Sequence, residues 1–509
     1  MYNVADIKYP KTALFIAGSI GAFGFPPVYA LPLFVASLIF AVVLCDKAET
    51  YRKASMIAYV FGFGFYTSAF YWIANALLVD LKAFGLFYPI ALLAPGLFFG
   101  FFFVPSFLAW HFFKNTNVWL KILGFSSVFV LFEYVRSFLF TGFPWNMLGT
   151  MFAFSDVLIQ TASLIGTYGL SFLLLILVFC FYAALKKHYK SAAIVFVGIL
   201  SVMILFGELR ILRYDDSSAE ITIRLVQPSI PQSLKWEEQA LEDNLADYIN
   251  LSRQEGFENV KLVVWGETAT AFNPADSLYY KMLIREAVPS KGYLITGVLR
   301  YDKDADKLYN SASVINDKGE TVAFYDKNHL VPFGEYLPFR KFWPKWMKPI
   351  ASQIADFSKG EKYKKIELPD LPPFSVLICY EIIFPDEVLN RKDKPSFLVV
   401  LSNDGWYGKS FGPYQHFVAA KMRAVEEGIT IIRSANNGIS AMIDPLGQII
   451  YRPLGLNKRG VIDVAPPIGM SMGTIYSSGV KIFIQLIMLL IFCGCLVIKT
   501  FNLGNTLKN

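Results

Sequence analysis

Long apolar runs fill the N-terminal part of the chain and return once near its end, and a stretch of mixed polarity separates them. The runs lie near residues 12 to 29, 31 to 45, 56 to 79, 84 to 110, 119 to 139, 158 to 184, 192 to 209 and 480 to 498. Each is read as a helix crossing a hydrocarbon layer about 30 Å thick, so eight spans are expected. The first run sits where a signal peptide would, yet it contains Phe25-Pro26-Pro27, lacks a small-residue cleavage site and leads almost directly into the second, so it is expected to be retained. The stretch between the seventh and eighth runs has a different rhythm. "ITIRLVQ", "VKLVVWGE", "KGYLITGVLR", "NSASVIND" and "FSVLICYE" read as strands, and "WEEQALEDNLADYINLSRQ" as an amphipathic helix. Strands alternating with helices and then pairing as hairpins predict a layered α/β domain. The expected organisation is a seven-helix transmembrane domain over residues 1–209, an extracytoplasmic α/β domain over 210–475, and an eighth transmembrane helix with a cytoplasmic tail over 476–509.

Composition agrees with a polytopic membrane protein: 55% of residues are hydrophobic and only 17% charged. The formal charge of +7 is spread over short loops between apolar runs, which argues against a nucleic-acid partner. Its distribution sets the orientation. One set of segments carries Lys8, Lys11, Lys47, Arg52, Lys53, Lys114, Lys121, Lys186, Lys187, Lys190, Lys499 and Lys508, while the alternate loops carry only Lys82 and Arg136. Basic flanks resist translocation, so both termini are expected in the cytoplasm and the 210–475 domain on the opposite side. Glu133 and Arg136, three apart near the outer end of the fifth run, are placed to pair on one helix face.

The candidate chemistry lies in the polar domain. Of Cys45, Cys180, Cys379, Cys493 and Cys495, only Cys379 falls there, where an apolar strand-like run breaks. An unpaired thiol outside the cytoplasm invites a functional reading, against the alternative of a small buried core residue. Glu267 and Lys327 also end strand-like runs, which is where a sheet presents side chains to a crevice. A thiol, a carboxylate and an ammonium together supply a nucleophile, a base and an oxyanion partner. Their alternative is a structural ion pair. His329 and His416 suggest a Cys-His hydrolase, which requires a histidine within hydrogen-bond reach of the thiol. No CxxC pair or Cys/His zinc spacing occurs, so no metal is expected. "NDGWYGKS" approaches a phosphate loop but has Asn403 where the first glycine is required, so no nucleotide or other cofactor is expected. The stretch "FGEYLPFRKFWPKWMKPI" interleaves Phe333, Phe339, Phe342, Trp343 and Trp346 with Arg340, Lys341, Lys345 and Lys348, a mixture suited to a membrane-interface lid.

The order of Glu267, Lys327 and Cys379, with "KNHLVPFGEYLPF", "ICYEIIFP", "LSNDGWYG" and "RSANNGISAMID", resembles the nitrilase, or carbon-nitrogen hydrolase, superfamily. The flanking spans, "VQPSIPQSLKW", "TGFPWNMLGT" and "GTYGLSF" narrow the resemblance to its membrane-embedded branch, the apolipoprotein N-acyltransferases. One departure is Trp265-Gly266-Glu267 where that family more often has Trp-Pro-Glu. The resemblance implies an αββα sandwich, Glu267 as base, Lys327 as oxyanion stabiliser and Cys379 as nucleophile. It places Glu335 as a second carboxylate near the lysine, and Tyr380 and Glu381 at positions that shape the pocket; Trp236, at the start of an expected helix, and Trp343, in the interface stretch, are read beside them as substrate-binding or supporting residues. It further implies a bacterial inner-membrane enzyme that moves an acyl chain from a phospholipid, with phosphatidylethanolamine favoured, to a diacylated apolipoprotein through a thioester. The competing expectations are a membrane-tethered amidase or nitrilase and, more distantly, a lipid transporter with an external binding domain.

Overall fold

The computed structural model describes the chain except residues 1–9, 215–220, 271–276, 345–346, 352–354, 468–473, 477 and 507–509. Lys8, Lys508, Lys345 and Trp346 therefore lie outside the described residues. The chain forms two compact units, one of residues 1–74, 86–213 and 474–509, the other of 75–85 and 214–473.

The first unit is helical. Among the described residues, six helices are long and apolar enough to cross a membrane: Tyr51–Asp80, Gly85–Phe112, Val118–Arg136, Ala162–Leu185, Tyr189–Leu212 and Gly479–Thr500. The first two expected spans form shorter helices, Pro10–Gly21 and Leu31–Asp46, and the break between them contains Pro26 and Pro27, which cannot donate backbone hydrogen bonds. Side-chain caps fix two starts: Thr50 Oγ1 accepts from Lys53 N at 3.2 Å, and Asn117 Oδ1 from Trp119 N at 2.9 Å. Small residues let helices approach closely. A Cβ added to Gly18 would sit 2.0 Å from the Phe61 carbonyl, and one on Gly64 would sit 2.1 Å from that of Phe15. Elsewhere the helices expose apolar side chains, Ile194 at 72%, Leu205 at 61% and Leu490 at 68% among them, a surface suited to hydrocarbon rather than water.

Glu133 and Arg136 do meet, with Oε1 and a guanidinium nitrogen 4.0 Å apart, and both are buried. Glu133 Oε1 also accepts from Leu148 N at 2.8 Å, and Arg136 Nη1 donates to the carbonyls of Phe143 and Trp145 at 3.0 and 2.7 Å. The pair thus satisfies the backbone of the irregular "TGFPWNMLGT" segment, where unpaired polar groups away from water are costly.

The second unit is built on two six-stranded sheets. The first has the order β12-β1-β2-β3-β4-β5, with β1 Thr222–Gln227, β2 Val260–Val264, β3 Tyr293–Asp302, β4 Lys307–Asn316, β5 Thr321–Asp326 and β12 Gly460–Val464. The second runs β11-β10-β9-β8-β7-β6, with β6 Lys365–Leu368, β7 Leu371–Ile378, β8 Phe397–Ser402, β9 Thr430–Ala435, β10 Ser440–Ile443 and β11 Ile449–Leu454. In each, three central strands are parallel, β1 to β3 and β7 to β9. Alternation along the strands explains the layering. Leu262 and Val264 face the core shared with Val376, Ile378, Val399 and Leu401 of the other sheet, while Val263 faces outward to Leu245 and Tyr248 of the helix Leu241–Ser252. The helix Gly412–Glu427 lies beside the second sheet. The result is the layered α/β arrangement expected from the strand pattern.

Candidate active site

Three strand ends deliver the candidate catalytic side chains. Lys327 follows β5, Cys379 follows β7, and Glu267 lies three residues beyond β2. Two of these strands belong to one sheet and one to the other, so the site forms where both sheets end. Its backbone is tightly held. A Cβ on Gly297 of β3 would sit 2.3 Å from Thr268 N and 2.6 Å from the Gly266 carbonyl, so the turn bearing Glu267 needs a glycine opposite it. A Cβ on Gly266 itself would come within 2.9 Å of Asn436 N, which gives a physical reason for glycine at this departure from Trp-Pro-Glu. Cys379 has φ of +54°, a left-handed conformation costly for a residue with a Cβ.

Glu267, Lys327, Glu335 and Cys379 are all buried, the last 5% exposed. Lys327 Nζ donates to Glu335 Oε1 at 2.9 Å and to Glu267 Oε1 at 3.3 Å. Asn310 of β4 bridges the same carboxylates, its Nδ2 donating to Glu267 Oε1 at 2.9 Å and Glu335 Oε1 at 2.8 Å. Glu335 Oε2 accepts from Val331 N at 2.8 Å, which anchors that carboxylate at both oxygens. Among the described residues, the Glu267 side-chain hydrogen bonds fall on Oε1. Burial pulls Lys327 down, but Glu335 and Glu267 outweigh it and hold the ammonium above its ordinary range.

The thiol is raised as well, which keeps it neutral. Burial first, then the negative charge of Glu267, push Cys379 well above the usual thiol range; Lys327 and a hydrogen bond from the Asn403 backbone oppose them. Burial first, then the negative charges of Cys379 and Asp404, raise the Tyr407 phenol well above its usual range. Asn75 Nδ2 donates to the Tyr407 carbonyl at 2.8 Å, so a residue from the end of an apolar run helps hold this loop.

A second buried lysine completes the electrostatics. Lys235 Nζ donates to the backbone carbonyl of Glu267 at 2.8 Å. Burial lowers it to about 8, with Glu267 and Cys379 pulling upward. It adjoins Trp236, the residue singled out from "SLKW", whose indole Nε1 is buried with no hydrogen-bond partner among the described residues.

Glu381 and Tyr380 differ in task. Glu381 accepts from Tyr325 OH and Asn328 N at 2.8 Å, His329 N at 3.0 Å and Ile378 N at 2.8 Å. It therefore ties the turn carrying Lys327 to the strand end carrying Cys379. Burial raises its carboxyl, and the backbone N–H donors oppose this. Tyr380 packs edge-on against Phe384 and His329. Trp343 is 37% exposed, its indole donating to the Pro338 carbonyl at 2.8 Å, and it neighbours exposed Phe333, Phe339 and Phe342.

His416 does not supply a Cys-His arrangement. Its Nε2 donates to the backbone carbonyl of Cys379 at 3.0 Å, and Nδ1 lies 2.8 Å from Asp404 Oδ1. Arg433 Nη2 donates to Asp404 Oδ2 at 2.9 Å. Burial works against the Asp404 carboxylate, yet Arg433 and His416 hold it below its ordinary range. Cys379, Asp404 and His416 present ligand-type atoms within 4.8 Å of one another, a spacing able to hold a metal ion. The Arg433 guanidinium on Asp404 already supplies positive charge there, and the trio fits the task of fixing the Cys379 peptide better.

Comparison with known proteins gives the family. Residues 222–470 match the carbon-nitrogen hydrolase family, and residues 17–180 match the apolipoprotein N-acyltransferase N-terminal domain. An apolipoprotein N-acyltransferase from Rickettsia bellii is 37% identical over 95% of this chain and 96% of its own length. That of Rickettsia typhi is 36% identical over 92% of this chain and 94% of its own. The chain belongs to the apolipoprotein N-acyltransferase family. Among solved structures, Saccharomyces cerevisiae Nit3, a nitrilase-superfamily member, is similar over 50% of this chain and 92% of that chain, at 21% identity and a TM-score of 0.38. As in the family, a helical membrane part accompanies a carbon-nitrogen hydrolase domain. Asn310, Lys235, Tyr407 and Asn75 are the site residues that sequence reading missed. Lys235 and Tyr407 sit inside the quoted motifs "QSLKW" and "NDGWYG", a usable signal, whereas Asn310 and Asn75 have none.

Proposed function

We propose that this protein transfers an acyl chain from a phospholipid to the N-terminal amine of a diacylglyceryl-cysteine lipoprotein, through a thioester on Cys379. The observation that carries the reading is the buried set of Glu267, Lys327, Glu335 and Asn310 joined by hydrogen bonds beside a thiol in a left-handed backbone conformation. In the first half-reaction the Cys379 proton passes to Glu267 as sulfur attacks the ester carbonyl. The developing oxyanion is met by the Lys327 ammonium. The ester C–O bond breaks, the leaving lysophospholipid oxygen takes the proton from Glu267, and the acyl group remains on sulfur. In the second, the neutral amine attacks, Glu267 accepts its proton, the C–S bond breaks and the thiolate is reprotonated. No nucleotide is required, because the acyl group arrives already activated as an ester and passes to sulfur by exchange, a C–S bond forming as the C–O bond breaks.

Phosphatidylethanolamine is the proposed donor on family resemblance. The eight apolar runs support eight spans, and the loop charges support cytoplasmic termini and a periplasmic catalytic domain between spans seven and eight. The exposed aromatics Phe333, Phe339, Phe342 and Trp343 support a lid that enters the lipid interface. The decisive experiment is intact-mass measurement after exposure to phospholipid alone. A fatty-acyl adduct is expected on the native protein and absent from Cys379→Ala; an equal adduct on both proteins defeats the assignment. Adding a diacylated lipopeptide is expected to discharge the adduct as N-acyl product, whereas free fatty acid alone indicates a hydrolase.

A further inference from the structure

Within the helical unit, a cavity of about 460 Å³ is lined by Asp46, Lys114, Asn117, Lys121, Tyr182 and Lys186 among others. Three ammonium groups in this lining face one carboxylate, which leaves the cavity positive. Asp46 acts as a bracket. Its carboxylate accepts from Lys121, from the Tyr182 hydroxyl, from Lys186 at 3.1 Å and from the Trp110 indole at 3.0 Å. Lys121 is almost wholly buried, and such a cation is held there at a desolvation cost. Lys114 Nζ is set by the Ala48 carbonyl at 2.9 Å, and the helix Val118–Arg136 begins at the cavity, adding the partial positive charge of its first turn.

An inorganic anion alone would underfill this space, which lies in the size range of pockets for organic ligands. The surroundings indicate what accompanies the anion. Phe181 and Leu185, four residues apart on the neighbouring face of the helix that carries Tyr182, are 50% and 57% exposed. Ammonium groups next to exposed apolar side chains at the end of spanning helices match a headgroup with acyl chains attached. All three lysines belong to the loops that charge assigns to the cytoplasmic side.

We propose that this cavity binds the phosphodiester of an anionic phospholipid, with Lys114 and Lys186 contacting the phosphate, Lys121 and Asp46 fixing the frame, and the acyl chains lying along Phe181 and Leu185. The net positive lining disfavours a headgroup carrying its own ammonium, so phosphatidylglycerol binds in preference to phosphatidylethanolamine. Neither lysine belongs to the catalytic set, and both reach the surface, so the double substitution Lys114→Gln/Lys186→Gln is expected to fold.

The test uses the purified full-length protein in neutral detergent, with phosphatidylglycerol, phosphatidylethanolamine and inorganic phosphate as separate probes. Native mass spectrometry and thermal unfolding read occupancy, and thioester formation reads integrity. Phosphatidylglycerol is expected to remain bound and to raise the unfolding temperature, with an apparent Kd about 30-fold weaker in the double variant from two lost lysine contacts. Binding is also expected to weaken with added salt, while thioester formation stays at the native level. Equal phosphatidylglycerol binding by the native protein and the double variant would overturn the proposal. Equal stabilisation by inorganic phosphate would overturn the lipid assignment, and equal retention of phosphatidylethanolamine would overturn the charge argument.

Discussion

Glu381→Gln tests whether this carboxylate positions the catalytic groups or contacts substrate. One oxygen of Glu381 accepts from Tyr325 OH, Asn328 N and His329 N, and the other from Ile378 N at 2.8 Å. Glutamine keeps the shape but has only one acceptor oxygen. If that oxygen serves the first group, its amide nitrogen meets the Ile378 N–H, donor against donor. One charge-assisted hydrogen bond is lost, worth about 1.5–3 kcal/mol, and an N–H is left unsatisfied at about 1–3 kcal/mol. These terms overlap, so the catalytic domain is expected to lose about 2–4 kcal/mol. Slackening the link between the Lys327 turn and the Cys379 strand end by about 1 Å is expected to slow thioester formation about 100-fold. Thermal unfolding reads the first effect, and single-turnover intact-mass kinetics at saturating phospholipid reads the second. A rise in KM with the saturated rate and unfolding temperature unchanged would refute the positioning argument and make Glu381 a substrate contact.

Lys235→Met removes the buried ammonium that donates to the Glu267 carbonyl. In the native protein Lys235 titrates at about 8 and is charged below that value, so thioester formation is expected to decline as pH rises through about 8. In Lys235→Met the rate is expected to be lower and to lack that decline, and an unchanged pH profile contradicts the role. The depressed lysine also predicts that folding stability rises with pH from about 8 toward the unfolded-chain value, because the unfolded state binds more protons across that window; this increment should vanish from thermal unfolding of Lys235→Met. Tyr407→Phe deletes a buried phenol electrostatically coupled to the Cys379 thiol; losing a hydrogen bond there is expected to lower folding stability by about 0.5–1.5 kcal/mol, and an unchanged unfolding temperature contradicts it. Arg136→Met leaves the Phe143 and Trp145 carbonyls and the buried Glu133 without their partner; a penalty of about 3–5 kcal/mol should appear as a lower unfolding temperature in detergent.

Much of the architecture is written in local pattern, because apolar runs and strand alternation need no knowledge of distant residues. The first two runs show the limit: hydropathy registers their apolar character, but Pro26 and Pro27 leave helices of 12 and 16 residues. The run over residues 56 to 79 likewise changes from α-helix to 3-10 geometry at Tyr71, and residues 75–85 join the catalytic unit. Periodicity alone cannot assign that segment to the unit where Asn75 supports Tyr407. In the site, Glu267, Lys327, Cys379 and Glu335 are visible because each ends a strand or sits in a recognisable motif. Asn310 occupies a strand interior, where alternation marks it only as inward-facing, and its bridging of two carboxylates exists only after β4 lies beside both turns. Glu381 shows the opposite failure. Its motif flags importance, but only the four hydrogen bonds distinguish a brace from a pocket wall.

In the proposed mechanism, the resting state of Cys379 lets one carboxylate serve both half-reactions. A thiolate buried near Glu267 and Asp404 would add a further negative charge that Lys327 offsets only in part, so the sulfur keeps its proton. Moving that proton to Glu267 leaves the total charge unchanged, because one anion replaces another. Attack on an ester then shifts the negative charge from sulfur to the carbonyl oxygen, and the Lys327 ammonium, fixed by two carboxylates, needs little reorganisation to meet it. Once the acyl group is on sulfur, Glu267 has returned its proton to the leaving oxygen and is again a carboxylate. It can therefore accept a proton from the incoming amine without any other group being reset. The same burial that raises the thiol also limits water at the thioester, so the choice between amine and water depends on which nucleophile the pocket admits to the sulfur-bound carbonyl.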